Sequence, residues 1–171
     1  LANSYLNNTE INKMEPFYPL RTYVCTKCFL VQLEEFEKST KIFSNYAYFS
    51  SYSQTWLNHV RDFVNNTIER FKISNTNLVI EIASNDGYLL QYFKKLNIPV
   101  LGIEPATNVA KVAKKKKIPT ISKFFGQKIA KELVRNGKKA DVLIAFNVLP
   151  HVPNLIDFVK EGLGQVQSTY L

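Results

Sequence analysis

At 171 residues, 46% of them hydrophobic, the chain can bury a substantial core and has room for one main domain plus a smaller unit. Its longest apolar stretches are strand-length and interrupted by charge, which argues against a membrane span, and its two cysteines are too few for a disulfide framework. The net charge of +8 is local: residues 111–139 hold 11 of the 22 Lys and Arg against one acid, Glu132, while the rest carries 11 bases against 13 acids. A solvated helix face is the plain account of that basic stretch, with attraction of anionic partners as the alternative.

In chain order, Leu1 to Leu33 reads as a small unit rich in loops and strands, with Tyr23-Val24 leading into Cys25-x-x-Cys28 and Leu30 to Leu33 leaving it. Two thiols at this spacing suit a metal or a redox pair better than a structural disulfide, yet a closed zinc site needs four ligands and only half a site is present. Phe43 to Ser53 is aromatic and serine-rich, as in a loop that lies over something. A helix follows from Gln54 to Lys72, where Trp56, Leu57, Val60, Phe63, Val64, Ile68 and Phe71 recur every three to four residues and leave His59 on the surface.

From Leu78 the pattern alternates. Strands are predicted at Leu78–Ala83, Val100–Glu104, Thr120–Ser122 and Asp141–Phe146, with helices at Tyr88–Leu96, Asn108–Lys116, Gly126–Asn136 and Leu155–Gly162. Such alternation gives an α/β fold with a parallel sheet covered on both faces and a ligand at the carboxyl ends of the strands. The expected units are residues 1–42, a connecting aromatic loop and helix over 43–73, and a cofactor-binding domain over 74–171.

The turn after the first long strand carries the sharpest signal. Glu81-Ile82-Ala83-Ser84-Asn85-Asp86-Gly87 lacks the G-x-G-x-x-G of a dinucleotide site. It resembles instead the E-x-G-x-G-x-G turn of methyltransferases that bind S-adenosylmethionine, with Ala83 and Asn85 in the first two glycine places. Glu104 lies 17 residues after Gly87, at the end of the next strand, where a carboxylate can accept both hydroxyls of a ribose.

Five segments extend the resemblance: Pro19 to Cys28, Tyr46 to Ser53, Glu81 to Leu90, Gly102 to Pro105 and Asn147 to Pro153. In this order and spacing they are similar to the sugar C-methyltransferases that carry an N-terminal zinc-binding domain. That resemblance runs from Leu1 to about Phe158 and implies a partial Rossmann-like class I methyltransferase sheet behind a zinc-binding-type unit. It further implies S-adenosylmethionine as cofactor, a nucleotide-linked keto-deoxysugar as substrate, His151 and Tyr46 as candidate catalytic residues, and Cys25 and Cys28 as zinc ligands. Glu81, Ala83, Asn85, Gly87, Glu104 and Asn147 are the expected cofactor contacts, with Phe124 and Phe125 packing on adenine or, alternatively, serving as plain core.

The chain departs from the family in having one Cys-x-x-Cys pair rather than two, and in leaving the pattern after Phe158. It is expected to be a piece of the family architecture, unable to complete methyl transfer alone, with its sheet edge covered by a second copy or by a separate chain supplying the missing half. Without a basic-then-apolar leader pattern, a cytoplasmic location is the expectation. Competing readings are a non-catalytic remnant that binds S-adenosylmethionine or a partner, and an RNA methyltransferase. The last is disfavoured because the basic residues lack interleaved stacking aromatics.

Overall fold

The computed structural model describes residues 5–165. Residues 1–4 and 166–171, which belong to the first and last expected units, lie outside the described residues. Near the N-terminus β1 (Thr22–Val24) pairs antiparallel with β2 (Val31–Leu33). The Cys-x-x-Cys turn between them closes through bonds from Phe29 N–H to Cys25 O and from Cys25 N–H to Leu30 O, both 2.9 Å, with Phe29 left-handed at φ 61°.

The aromatic segment is more ordered than a simple loop. It starts at the last residue of α1 (Ser39–Phe43) and contains a 3-10 turn at Ser50–Tyr52. Helix α2 (Gln54–Phe71) begins where the Ser53 hydroxyl accepts the Trp56 N–H at 3.2 Å, a cap that contributes about 1 kcal/mol. Its predicted stripe faces inward, Val60 and Val64 being fully buried and Trp56, Leu57, Phe63, Ile68 and Phe71 packing alongside. The helix stops one residue short of the predicted Lys72, which instead takes the left-handed conformation and closes the last turn on Ile68 O.

The main sheet contains β3 (Val79–Ile82), β4 (Val100–Ile103), β5 (Thr120–Ile121) and β6 (Val142–Ile144), all parallel, in the order β5-β4-β3-β6. Helices α3 (Leu90–Lys95), α4 (Thr107–Lys115), α5 (Gln127–Arg135) and α6 (Leu155–Gln165) alternate with the strands. Both faces of the sheet are covered, as the uninterrupted burial of β3 and β4 requires. Val79 joins the core with α2 and α3, while Ile80, Leu101 and Ile103 pack with Ile129 and Leu133 of α5 on the other face.

Several element ends differ from the sequence expectation, and at one helix and one strand the physical reason is plain. The helix predicted from Tyr88 starts at Leu90, because the turn after β3 uses residues through Leu89. The strand predicted over Asp141–Phe146 is shorter at both ends: the Asp141 carboxylate accepts the Leu78 N–H at 2.7 Å, and Phe146 turns to meet Phe63 edge-on at 4.9 Å. The chain steps outward from β3 to β5 and then crosses to β6 on the opposite side of β3. That reversal opens a crevice at the carboxyl ends of β3 and β6.

Candidate active site

The turn that follows β3 alternates in handedness. Ala83, Asn85 and Gly87 all have positive φ, at 55°, 49° and 76°, and they occupy the three glycine places of the pattern read from sequence. Asn tolerates this region, whereas Ala83 stores about 1–2 kcal/mol of strain there. Gly87 is required twice over, since a Cβ added to it would lie 2.3 Å from Ile118 Cδ1. Gly102 in β4 lets the same turn approach closely, because a Cβ there would lie 2.4 Å from Ser84 Oγ.

The turn carries the chain to Glu104. Its Oε2 accepts the Asn85 N–H at 2.9 Å and its Oε1 accepts the Ala106 N–H at 2.8 Å, so the buried carboxyl is fixed in place while each oxygen keeps a further lone pair. Burial raises its pKa above the usual carboxylate range, and the two backbone donors act in the opposite sense. Glu81, inside β3, has no exposed surface, and neither carboxylate oxygen has a well-aligned hydrogen-bond partner. Burial holds its pKa well above the ordinary value, opposed by the Tyr88 hydroxyl and reinforced by Glu104 and Asp86.

A cleft of about 640 Å³ opens over these strand ends. It is lined by Ala83, Asn85 and Glu104 of the turn and strand ends, its floor, by Phe124 and Phe125 after β5, by Asn147 and His151 after β6, and by Tyr46 of the aromatic segment, its cover. Eight of the ten residues expected at a catalytic or cofactor site therefore meet in one cavity. Glu81 and Gly87 do not line it; the first lies buried in the sheet and the second shapes the turn from behind. The two phenylalanines differ in surroundings: Phe125 packs edge-on against Phe158 at 5.5 Å, while Phe124 remains 37% exposed. His151 sits in a 3-10 turn, Leu149–His151, and the Phe43 ring lies 5.5 Å from it and 6.0 Å from the ring of Tyr46.

Sequence reading did not find what holds the aromatic segment down. The Asn85 side chain accepts the Ser50 N–H at 3.0 Å and donates to Tyr48 O at 3.1 Å. The Asn108 side chain makes the same double contact with Tyr46. Lys116, read as part of a solvated basic run, bridges buried Asp86 at 3.2 Å and Ser51 Oγ at 2.7 Å. Phe43, Tyr48, Trp56, Tyr88, Phe146 and Phe158 complete the aromatic lining. Only spatial proximity identifies these residues, because they come from segments far apart in the chain.

Cys25 and Cys28 lie on the turn between β1 and β2, and backbone N–H groups of Cys28 and then Lys27 draw the Cys25 thiol below its usual pKa. That environment favours the thiolate a zinc ion binds. Among the described residues no group of three or more His, Cys, Asp or Glu side chains comes together as a metal site.

Residues 1–43 match the model of a family described as a putative zinc binding domain. The whole chain is 28% identical to C-methyltransferase NovU of Streptomyces niveus, covering 43% of that protein, so it spans less than half the length of this curated relative. In fold, the magnesium protoporphyrin IX methyltransferase of Synechocystis PCC 6803, solved with bound SAM, is similar with a TM-score of 0.52 at 16% identity, over 65% of this chain and 54% of that one. A putative S-adenosylmethionine-dependent methyltransferase from Methanococcus maripaludis gives 0.53 at 16% identity, over 80% of this chain and 64% of that one. The fold is that of a class I methyltransferase, and by sequence the chain is similar to a C-methyltransferase along its length and to a putative zinc binding domain over residues 1–43.

Proposed function

We propose that the chain binds S-adenosylmethionine at the carboxyl ends of β3 and β4 and serves in transfer of its methyl group to a carbon of a nucleotide-linked keto-deoxysugar. The observation that carries this reading is the alternately left-handed turn Ala83-Asn85-Gly87, which locks to Glu104 at the floor of the cleft. Glu81 does not line the cleft, and its buried carboxyl, beside the Tyr88 hydroxyl, bears on the ligand by supporting this turn from within β3. S-adenosylmethionine supplies an electrophilic methyl group. On the protein side, Glu104 offers acceptors to ribose hydroxyls and Phe124 an exposed ring to adenine, while Asn147 borders the methionine end.

Methylating carbon beside a ketone requires removal of a carbon-bound proton. Tyr46 and His151 both border the cleft, and either the neutral imidazole or the ionised phenolate can accept that proton, leaving the electron pair shared between the carbon and the ketone oxygen. The sugar substrate is supported by the similarity to a C-methyltransferase and by the resemblance of the five segments. Cys25 and Cys28 would supply two ligands to zinc. A second chain is part of the same reading, because among the described residues β6 has β3 as its single neighbour and its other edge is open to pairing.

Calorimetric titration of the chain with S-adenosylmethionine, NAD, RNA and a keto-deoxysugar nucleotide in separate runs tests the reading. Saturable binding of S-adenosylmethionine is the expected result. Binding of NAD or RNA in its place overturns it.

A further inference from the structure

Tyr46 lies on an irregular stretch between α1 and the Ser50–Tyr52 turn, with no helix or strand of its own to fix its backbone. A proton acceptor in such a place needs an external brace, since a displacement of about 1 Å can reduce turnover on the order of a hundredfold. The brace comes from α4, 62 residues further along the chain. Asn108 Oδ1 accepts the Tyr46 N–H at 3.0 Å, and Asn108 Nδ2 donates to Tyr46 O at 2.6 Å. One side-chain amide thus satisfies both backbone polar groups of one residue, as a neighbouring strand would. A separate contact runs in the same direction: Thr107 N–H donates to Ser44 O at 3.1 Å.

Asn108 is half-buried and does not line the cleft. We propose that Asn108 is a positioning residue, which sets the orientation of Tyr46 over the cleft without touching cofactor or substrate. The inference rests on the methyl-transfer reading, in which Tyr46 faces the reacting carbon. It locates control of Tyr46 on the helix after β4, the strand that leads into Glu104, so the floor and the cover of the cleft are held by adjoining segments. The Phe43 ring, between Tyr46 and His151, then keeps a fixed spacing to both.

The experiment uses the full chain with 3-fluorotyrosine placed at position 46, or at position 88 as a control whose buried ring also lines the cleft, in the parent and in Asn108→Ala and Asn108→Asp. Fluorine NMR spectra are recorded with and without S-adenosylmethionine, and binding is measured by calorimetry. In the parent, a single dispersed resonance at position 46 is expected. Asn108→Ala should collapse that resonance toward its solvent-exposed position while the position-88 signal and the affinity for S-adenosylmethionine stay within about threefold of the parent, the split that separates positioning from binding. Asn108→Asp, which retains the acceptor for the Tyr46 N–H, should restore part of the dispersion.

An unchanged position-46 resonance in Asn108→Ala overturns the proposal. So does a joint loss of both resonances and of binding, which would mark Asn108 as a general support of the fold. A parent that fails to bind S-adenosylmethionine overturns the functional reading on which the proposal rests, a result distinct from either NMR outcome.

Discussion

Asn85 joins the floor of the cleft to its cover: its backbone N–H donates to Glu104 Oε2 at 2.9 Å, and its side-chain amide holds Tyr48 O and Ser50 N–H. Glu104 is consequently both a ligand acceptor and the fastener of the turn. Replacing it with Ala removes a charged acceptor for two hydroxyls, an effect of about 1.5–3 kcal/mol or roughly a tenfold to hundredfold loss in affinity for S-adenosylmethionine. Calorimetry on Glu104→Ala checks this, and an affinity equal to the parent's removes the ribose assignment.

Gly87 tests the turn without touching the cleft. Gly87→Ala introduces a Cβ at φ 76° and 2.3 Å from Ile118 Cδ1, so a destabilisation of about 1–3 kcal/mol is expected in urea unfolding. Ile118→Val deletes the clashing atom. The double variant should therefore be less destabilised than the sum of the two single variants, and strict additivity would show that the Ile118 contact is not the source of the strain.

Glu81 gives the fold a pH dependence of defined sign. Burial raises its folded pKa well above the ordinary value of about 4.3. A carboxyl in that condition holds its proton longer in the folded than in the unfolded state, so its contribution is most favourable below the ordinary value and is lost as pH rises toward the folded one. The ligand-free parent should thus lose Tm relative to Glu81→Gln as the pH is raised through and above the carboxylate range. Parallel Tm curves for the two proteins would refute a buried titrating Glu81.

The parallel sheet and its helices were legible because period and length agree: β3 and β4 are short apolar runs, buried throughout, and α2 carries a regular stripe. The turn was legible in outline, since the three residues in glycine places all adopt positive φ although only Gly87 is a glycine. Helix starts were less so. Tyr88 looks helical by composition, but the left-handed residue before it delays the helix to Leu90. The clamps of Asn85 and Asn108 carry no local signature, because an asparagine's side-chain partners 35 or 62 residues away depend on packing that periodicity does not encode.

Tyr46 and His151 make separable predictions about the chemistry. Both border the cleft, and each lies within ring contact of Phe43, at 6.0 and 5.5 Å. Loss of a general base lowers turnover by about 10²–10⁴-fold, while neither side chain belongs to the cofactor floor. Tyr46→Phe and His151→Ala should therefore keep their affinity for S-adenosylmethionine. In a preparation that methylates a keto-deoxysugar nucleotide, whether the chain alone or the chain with the partner that covers β6, the residue that takes the proton should lower kcat within that range. If the two act as one unit, the double variant should be no slower than the worse single variant; if they act independently, the losses should multiply. The measurement is the mass gain of one methyl group in the sugar with time. Undiminished turnover in both single variants would move the proton acceptor to another residue of the cleft.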